Sequence, residues 1–293
     1  MTRRQSITGF TLTELIIVVL VVFAIFVTAL ILFNSGGPSR ATARRVKDST
    51  QVRGIHQGML MGAQSNNDEY LTPAHIDKQD TTIPGDPDSK NTSANILSVH
   101  IYNGYFPPEL CISPSEVNRA IRVMRNYSYS DPKLAAKPAH ALWDPAFSVD
   151  FTSGKTGNLS YAHMPPMGPR KARWTNTFDA TEPIIGNRGP RVSSVSYGTD
   201  PTTAFAAFDR NSNTLAIHGA KNTWEGNTVY NDNHVNFETR MDPPPVVYPD
   251  SAGKLWADCL FFDEPNDVNG QNALLSIWTK AGPSPADFVS IWD

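Results

Sequence analysis

Apolar positions are distributed very unevenly along this chain. From Leu15 to Phe33 the sequence reads LIIVVLVVFAIFVTALILF, nineteen residues in which Thr28 is the sole polar member. A helix rises about 1.5 Å per residue, so the run covers roughly 28 Å, close to the hydrocarbon thickness of a bilayer. The pattern predicts one membrane-spanning helix. Asn34-Ser35-Gly36-Gly37-Pro38 then interrupts it with two helix-weak glycines and a proline that lacks an amide donor, which predicts a kink or local melting. Helical spacing resumes from Ser39 to about Asn66, where Val52, Ile55, Met59 and Ala63 recur every three or four residues. They share one face, expected to pack on a globular part.

The pattern changes again from Tyr70. Many of the chain's 23 prolines and 19 glycines now divide short apolar stretches, which predicts loop-rich β structure. Candidate strands are Ile96–Tyr102, Leu159–Ala162, Val192–Tyr197, Thr203–Phe208 and Leu215–His218. Residues 72–93 are polar and read as a surface loop. The clearest β signal runs from Asn227 to Phe237, where two alternating segments flank Asp232-Asn233, a pair suited to the positive-φ positions of a tight turn. The predicted class is therefore α+β: a long N-terminal helix, half spanning and half packed, ahead of a loop-rich antiparallel β globular domain.

Composition adds boundaries to this picture. Apolar residues make up 40% of the 293, enough to form a core, while only 18% are charged. The net charge of −3 supplies no basic field for nucleic acid, so no nucleic-acid partner is expected. Two cysteines, Cys111 and Cys259, are too far apart for a zinc knuckle; one long-range disulfide and two buried thiols both remain open.

Gly9-Phe10-Thr11-Leu12-Thr13-Glu14-Leu15 follows a short basic leader and opens the apolar run. Glu14 is the unusual residue, because a carboxylate at the mouth of a membrane span is costly unless it has a partner or a function. This stretch resembles the prepilin cleavage and methylation motif of type IV pilins and type II secretion pseudopilins. The resemblance implies cleavage between Gly9 and Phe10, N-methylation of Phe10, and pairing of Glu14 with the terminal amine of a neighbouring subunit during assembly. It also implies a prepilin peptidase, other pilin or pseudopilin subunits and the inner membrane as partners, with the globular domain in the periplasm or at the cell surface. The implied layout is a leader at 1–9, a transmembrane assembly helix at 10–34, a kinked helical continuation at 35–70 and an extracytoplasmic domain at 71–293. Gly54-Ile55-His56-Gln57, Asn66 to Tyr70, His218-Gly219, Trp224 to Asn227 and Asp232 to Val235 are similar to segments of large planctomycete-type prepilin-like proteins.

Other readings of the N-terminus lead elsewhere. A secretory signal cut after Val27-Thr28-Ala29 would release a chain starting at Leu30, and a plain anchor would leave Glu14 at the headgroups. Arg3-Arg4 is a weak twin-arginine hint. Arg40, Arg44, Arg45 and Lys47 outnumber the leader's two arginines, so the positive-inside rule taken alone favours the opposite orientation.

Candidate chemistry is sparse. No His-Glu-x-x-His, Cys-x-x-Cys, Gly-x-Ser-x-Gly or phosphate-loop motif occurs, so the chain is read as a non-enzyme without a cofactor. Asp232 and His234, with His218 as a third group, are a weak metal candidate. Oxygen donors between Asp258 and Asn272 make calcium a low-ranking candidate at Asp263, Asp267 and Asn269, although Pro265 breaks an EF-hand register. The alternative to a structural subunit is an anchored or tip-located glycan-binding protein, which exposed Trp143, Trp174 or Trp224 would favour.

Overall fold

The apolar run forms α1 (Leu12–Asn34) and a second helix, α2, follows at Gly36–Gln64. This computed structural model describes residues 11–34, 36–220 and 222–293; Gly9, Phe10 and the rest of the leader lie outside them. The chain divides between Arg44 and Arg45 into two compact units.

In the first unit, Leu12–Leu30 is long and apolar enough to cross a membrane, and none of it is buried against the rest of the chain. Its one internal polar group is satisfied locally, since Thr28 Oγ1 donates to the Ala24 carbonyl at 2.7 Å. A helix suits lipid because it closes its own backbone hydrogen bonds. By length and composition it fits a single-pass anchor or a signal sequence.

The second unit begins inside α2 and contains the rest of the chain. Val52, Ile55, Met59 and Ala63 are all buried, as their spacing predicts. Burying a Val, Ile or Met side chain contributes about 1.5–3 kcal/mol each, so this face holds α2 to the core. Beside it runs Gly54, Gly58 and Gly62, a four-residue repeat that lets other side chains approach the helix backbone. A Cβ on Gly58 would lie 2.5 Å from Phe106 Cδ1, and one on Gly62 3.0 Å from Leu71 Cδ1.

Two further helices follow, the short α3 (Pro73–Ile76) and α4 (Ser93–Tyr102). Among the described residues ten short strands complete the unit: β1 (Tyr161–His163), β2 (Pro183–Asn187), β3 (Val192–Tyr197), β4 (Ala204–Phe208), β5 (Gly226–Tyr230), β6 (Val235–Glu238), β7 (Val247–Pro249), β8 (Leu255–Ala257), β9 (Ile277–Lys280) and β10 (Val289–Ile291). An antiparallel sheet of order β1-β2-β5-β6 is accompanied by three two-stranded pairs, β3 with β4, β7 with β8 and β9 with β10. The architecture is α+β, with antiparallel sheets and long loops after the two N-terminal helices.

Two expected strands are helical instead. Ile96–Tyr102 belongs to α4: the Thr92 side chain accepts Asn95 N–H at 3.3 Å and caps the helix, whose Ile96, Leu97, Val99 and Ile101 are buried together. A short continuous apolar run does not distinguish a buried strand from a buried helix. Leu215–His218 overlaps a 3-10 turn at Asn213–Ala216, started by Ser212 Oγ accepting Thr214 N–H at 3.2 Å. Leu159–Ala162 is shifted two residues toward β1, whereas β3, β4 and the β5–β6 hairpin lie where the alternation puts them. In the hairpin turn only Asn233 takes the left-handed conformation, at φ 67°.

Candidate functional site

Two sets of residues carry the features singled out in the sequence: the start of α1, and a group of polar side chains that grips α2 within the second unit. At the start of α1, Thr11 and Glu14 form a reciprocal cap. Thr11 N–H and Oγ1–H both donate to Glu14 Oε2 at 2.8 Å, and Glu14 N–H donates to Thr11 Oγ1 at 3.3 Å. This is the Thr-x-x-Glu capping box, which satisfies amides that a helix start leaves without partners. Both donors converge on Oε2. No described residue bonds Oε1.

The grip on α2 has two anchor points. The first is Asp48, fully buried, four residues before Val52 on the same helical face. Its Oδ1 accepts from Ser113 Oγ (2.5 Å) and Tyr161 OH (2.9 Å), and its Oδ2 from Asn227 Nδ2 (2.6 Å). His218 Nε2 lies 3.4 Å from Oδ2 and donates to Asn187 Oδ1 at 3.0 Å, which also accepts Asn227 N–H. Burial pushes the Asp48 carboxyl up, but hydrogen bonds from His218, Ser113 and Asn227 outweigh it and hold the group below its ordinary value. The carboxylate stands between the serine and the histidine, so the imidazole is not placed to take the Ser113 proton. The arrangement is a fastening, not a nucleophile relay.

The second anchor is His56. Its Nδ1 lies 3.0 Å from the Asn233 amide at the hairpin tip and its Nε2 2.9 Å from Tyr70 OH, which donates to Asn231 Oδ1 at 2.7 Å. Asn231 Nδ2 donates onward to Glu182 Oε2 at 2.8 Å. Burial pushes the imidazole down to about 4, so it is neutral at pH 7. Thus His218, Asn227 and Asn233, drawn from C-terminal segments that look unrelated in sequence, meet residues of α2 far earlier in the chain.

Several candidate residues have structural partners instead. Asp263 and Asp267 face Arg170, whose Nη2 is 2.7 Å from Asp263 Oδ1 and 3.6 Å from Asp267 Oδ2 and also bonds Asn272. Asn269 donates its backbone N–H to Asp267 Oδ1 at 3.2 Å. A guanidinium holds the place of the cation, so this donor set does not fit calcium. The Asp232, His234 and His218 candidate also separates: His234 Nδ1 pairs with Asp232 Oδ1 at 2.5 Å at the surface, while His218 turns to Asp48. Among the described residues, no three His, Cys, Asp or Glu side chains are grouped to hold a metal.

Cys111 and Cys259 are not bridged; both are buried free thiols packed in the main core, where burial raises the thiol above its usual range. They fill space as small hydrophobes. Trp143, Trp174 and Trp224 are likewise buried, with Trp143 donating to Asn95 Oδ1 at 3.1 Å and Trp224 to the Arg188 carbonyl at 3.0 Å. They form no exposed aromatic platform. Sequence reasoning passed over Asp48, although its spacing from Val52, Ile55 and Met59 places it on the buried face. No protein-family model, no curated protein and no solved structure matches this chain.

Proposed function

We propose that this chain is a pilin-like or pseudopilin subunit, a non-enzymatic protein that is cut by a prepilin peptidase and assembled through its N-terminal helix into a pilus or a type II secretion pseudopilus. The observation that carries the reading is Glu14 at the mouth of the apolar run, four residues after Phe10 in Gly9-Phe10-Thr11-Leu12-Thr13-Glu14-Leu15. A plain anchor gains nothing from a carboxylate there beyond a helix cap. In a bundle of such helices, a neighbour's methylated terminal ammonium at Phe10 would pair with Glu14 and offset part of the desolvation cost of both charges. The capping box is compatible with that role, because it engages one carboxylate oxygen and involves no residue before Thr11.

The two helices divide the labour in this reading. The exposed apolar surface of α1 packs on other subunits and lipid, and α2 ties the polymer to a globular domain held in the periplasm or at the cell surface. Intact-mass and N-terminal peptide analysis of the protein purified from membranes tests the proposal. A mature chain starting at N-methylated Phe10 is expected. A start at Leu30 would mean ordinary secretion and an intact Met1, in a host that has the peptidase, a simple anchor, and either would overturn the reading.

A further inference from the structure

Residues 77–83 wind around a single carboxylate. Buried Asp77 accepts Thr81 N–H (2.7 Å) and Thr81 Oγ1–H (3.1 Å) on Oδ1, and Thr82 N–H (3.3 Å) and Ile83 N–H (3.1 Å) on Oδ2. The buried Lys90 ammonium completes the set, donating to Asp77 Oδ2 at 3.2 Å, to the Asp77 carbonyl at 2.6 Å and to Asp80 Oδ1 at 2.5 Å. With five donors on two oxygens, the Asp77 carboxylate is fully engaged.

This loop is stitched to residues 136–142. Ala136 N–H donates to the Thr82 carbonyl at 3.0 Å, Lys137 N–H to the Thr81 carbonyl at 2.8 Å, and Leu142 N–H to Thr82 Oγ1 at 2.8 Å. The two segments, fixed to each other in this way, together line a cleft of about 850 Å³. Its walls are set before anything binds.

The charges of those walls are unbalanced. Lys78, Lys137 and His140 line the cleft with exposed side chains, and none of the three side chains is bonded to a described residue. Asp77 is the one carboxylate in the lining, and it is turned to its five donors. Counting Lys90 and Asp80 as well, three ammoniums stand against two carboxylates. In a chain whose net charge is −3 the cleft is a local positive region. A concave wall of one sign concentrates counter-ions more than a flat surface does.

The same groups narrow the ligand. Lysine binds phosphate as a point charge, and an imidazole adds a hydrogen-bond donor. A phosphomonoester carries about −1.5 to −2 charge at pH 7, which two ammoniums match, whereas a carboxylate or a phosphodiester carries a single charge. Small-molecule pockets usually run from roughly 300 to 1,000 Å³, so the cleft holds more than a bare phosphate. Ile76 and Leu142 in its lining offer apolar surface to an organic group.

We propose that this cleft binds a phosphomonoester, with Lys78 and Lys137 on the phosphate dianion, His140 as a further donor, and the organic group against Ile76 and Leu142. The site lies wholly in the second unit and does not depend on how the N-terminus is processed. The test is isothermal titration calorimetry on the full chain in an uncharged detergent at low ionic strength. Phenyl phosphate is the probe, and inorganic phosphate, dimethyl phosphate and benzyl alcohol are the comparisons.

Phenyl phosphate is expected to bind, with inorganic phosphate and dimethyl phosphate each about tenfold weaker or more, and benzyl alcohol to give no saturable signal. Lys78→Ala and Lys137→Ala should each weaken phenyl phosphate about tenfold. Both side chains are exposed, so the melting temperature should stay as it was. Lys254→Ala, which removes an exposed lysine elsewhere, should leave binding unchanged. Four results would each overturn the proposal. They are no binding of phenyl phosphate, inorganic phosphate bound as tightly, dimethyl phosphate bound as tightly, which would point to a diester such as a lipid headgroup, and binding that survives both cleft substitutions.

Discussion

The two N-terminal helices make opposite use of apolar residues. In α1 nearly every position is apolar and none of the spanning window is covered by the chain itself. In α2 polar residues predominate, yet Val52, Ile55, Met59 and Ala63 are completely enclosed, and a buried aspartate and a buried histidine fix the same helix. Total hydrophobicity therefore does not decide which helix joins the core. What decides is a matching surface in the same chain: α2 has one, built from Phe106, Leu71, the hairpin and the Asn227 strand. Helix α1, apolar on every side, has the length and composition of a single-pass anchor or a signal sequence.

Acidification should separate the two helices most strongly. His56, His100 and His163 are each pushed down to about 4 by burial. Below 6.5 the unfolded chain takes up protons at these positions while the folded chain stays neutral, so stability is full at pH 7 and falls as the pH drops toward 4. At pH 5 the loss should be on the order of 2 kcal/mol per histidine. Denaturant unfolding followed by tryptophan fluorescence at pH 7 and pH 5 measures it. All six tryptophans lie in the second unit, and α1 has no histidine. Equal stability at the two pH values would contradict the buried neutral state.

Asp48→Ala should come next. It strips hydrogen-bond partners from Ser113, Tyr161 and Asn227 at once, and should destabilise the second unit by about 3–5 kcal/mol in the same assay. A smaller loss of about 1–3 kcal/mol is expected for Gly58→Val. Its Cβ would press on the buried ring of Phe106, which is stacked on His100 at a centroid distance of 6.0 Å. The smallest effect on unfolding is expected from Glu14→Gln, which should leave the transition of the second unit unchanged while abolishing incorporation into fibres. Fibres of normal yield from this variant would remove the assembly role proposed for the charge.

What could be read from the sequence was local. The long apolar helix follows from one uninterrupted run, and the buried face of α2 and the β5–β6 hairpin from spacings of two to four residues; all three elements are present. What could not be read was pairing at a distance. Asp48 meets partners 65, 113 and 179 residues away, and Arg170 neutralises Asp263 across 93. No window of sequence brings such groups together, so the acidic stretch after Asp258 looked like a cation site when its cation was an arginine. The β2 strand, Pro-Ile-Ile-Gly-Asn, was missed for another reason. It is buried at every position, so it shows no alternation to detect.

The spacing of Asp48 and His56 has a mechanical consequence. They are eight residues apart, about 12 Å along the axis of α2, and are fastened to different parts of the β structure. A helix held at one point can swivel, whereas one held at two is keyed against both rotation and sliding. A tug along its axis then loads both fastenings together, in shear, instead of peeling them apart one after the other. A protein built to be pulled by its N-terminal helix would be served well by that arrangement.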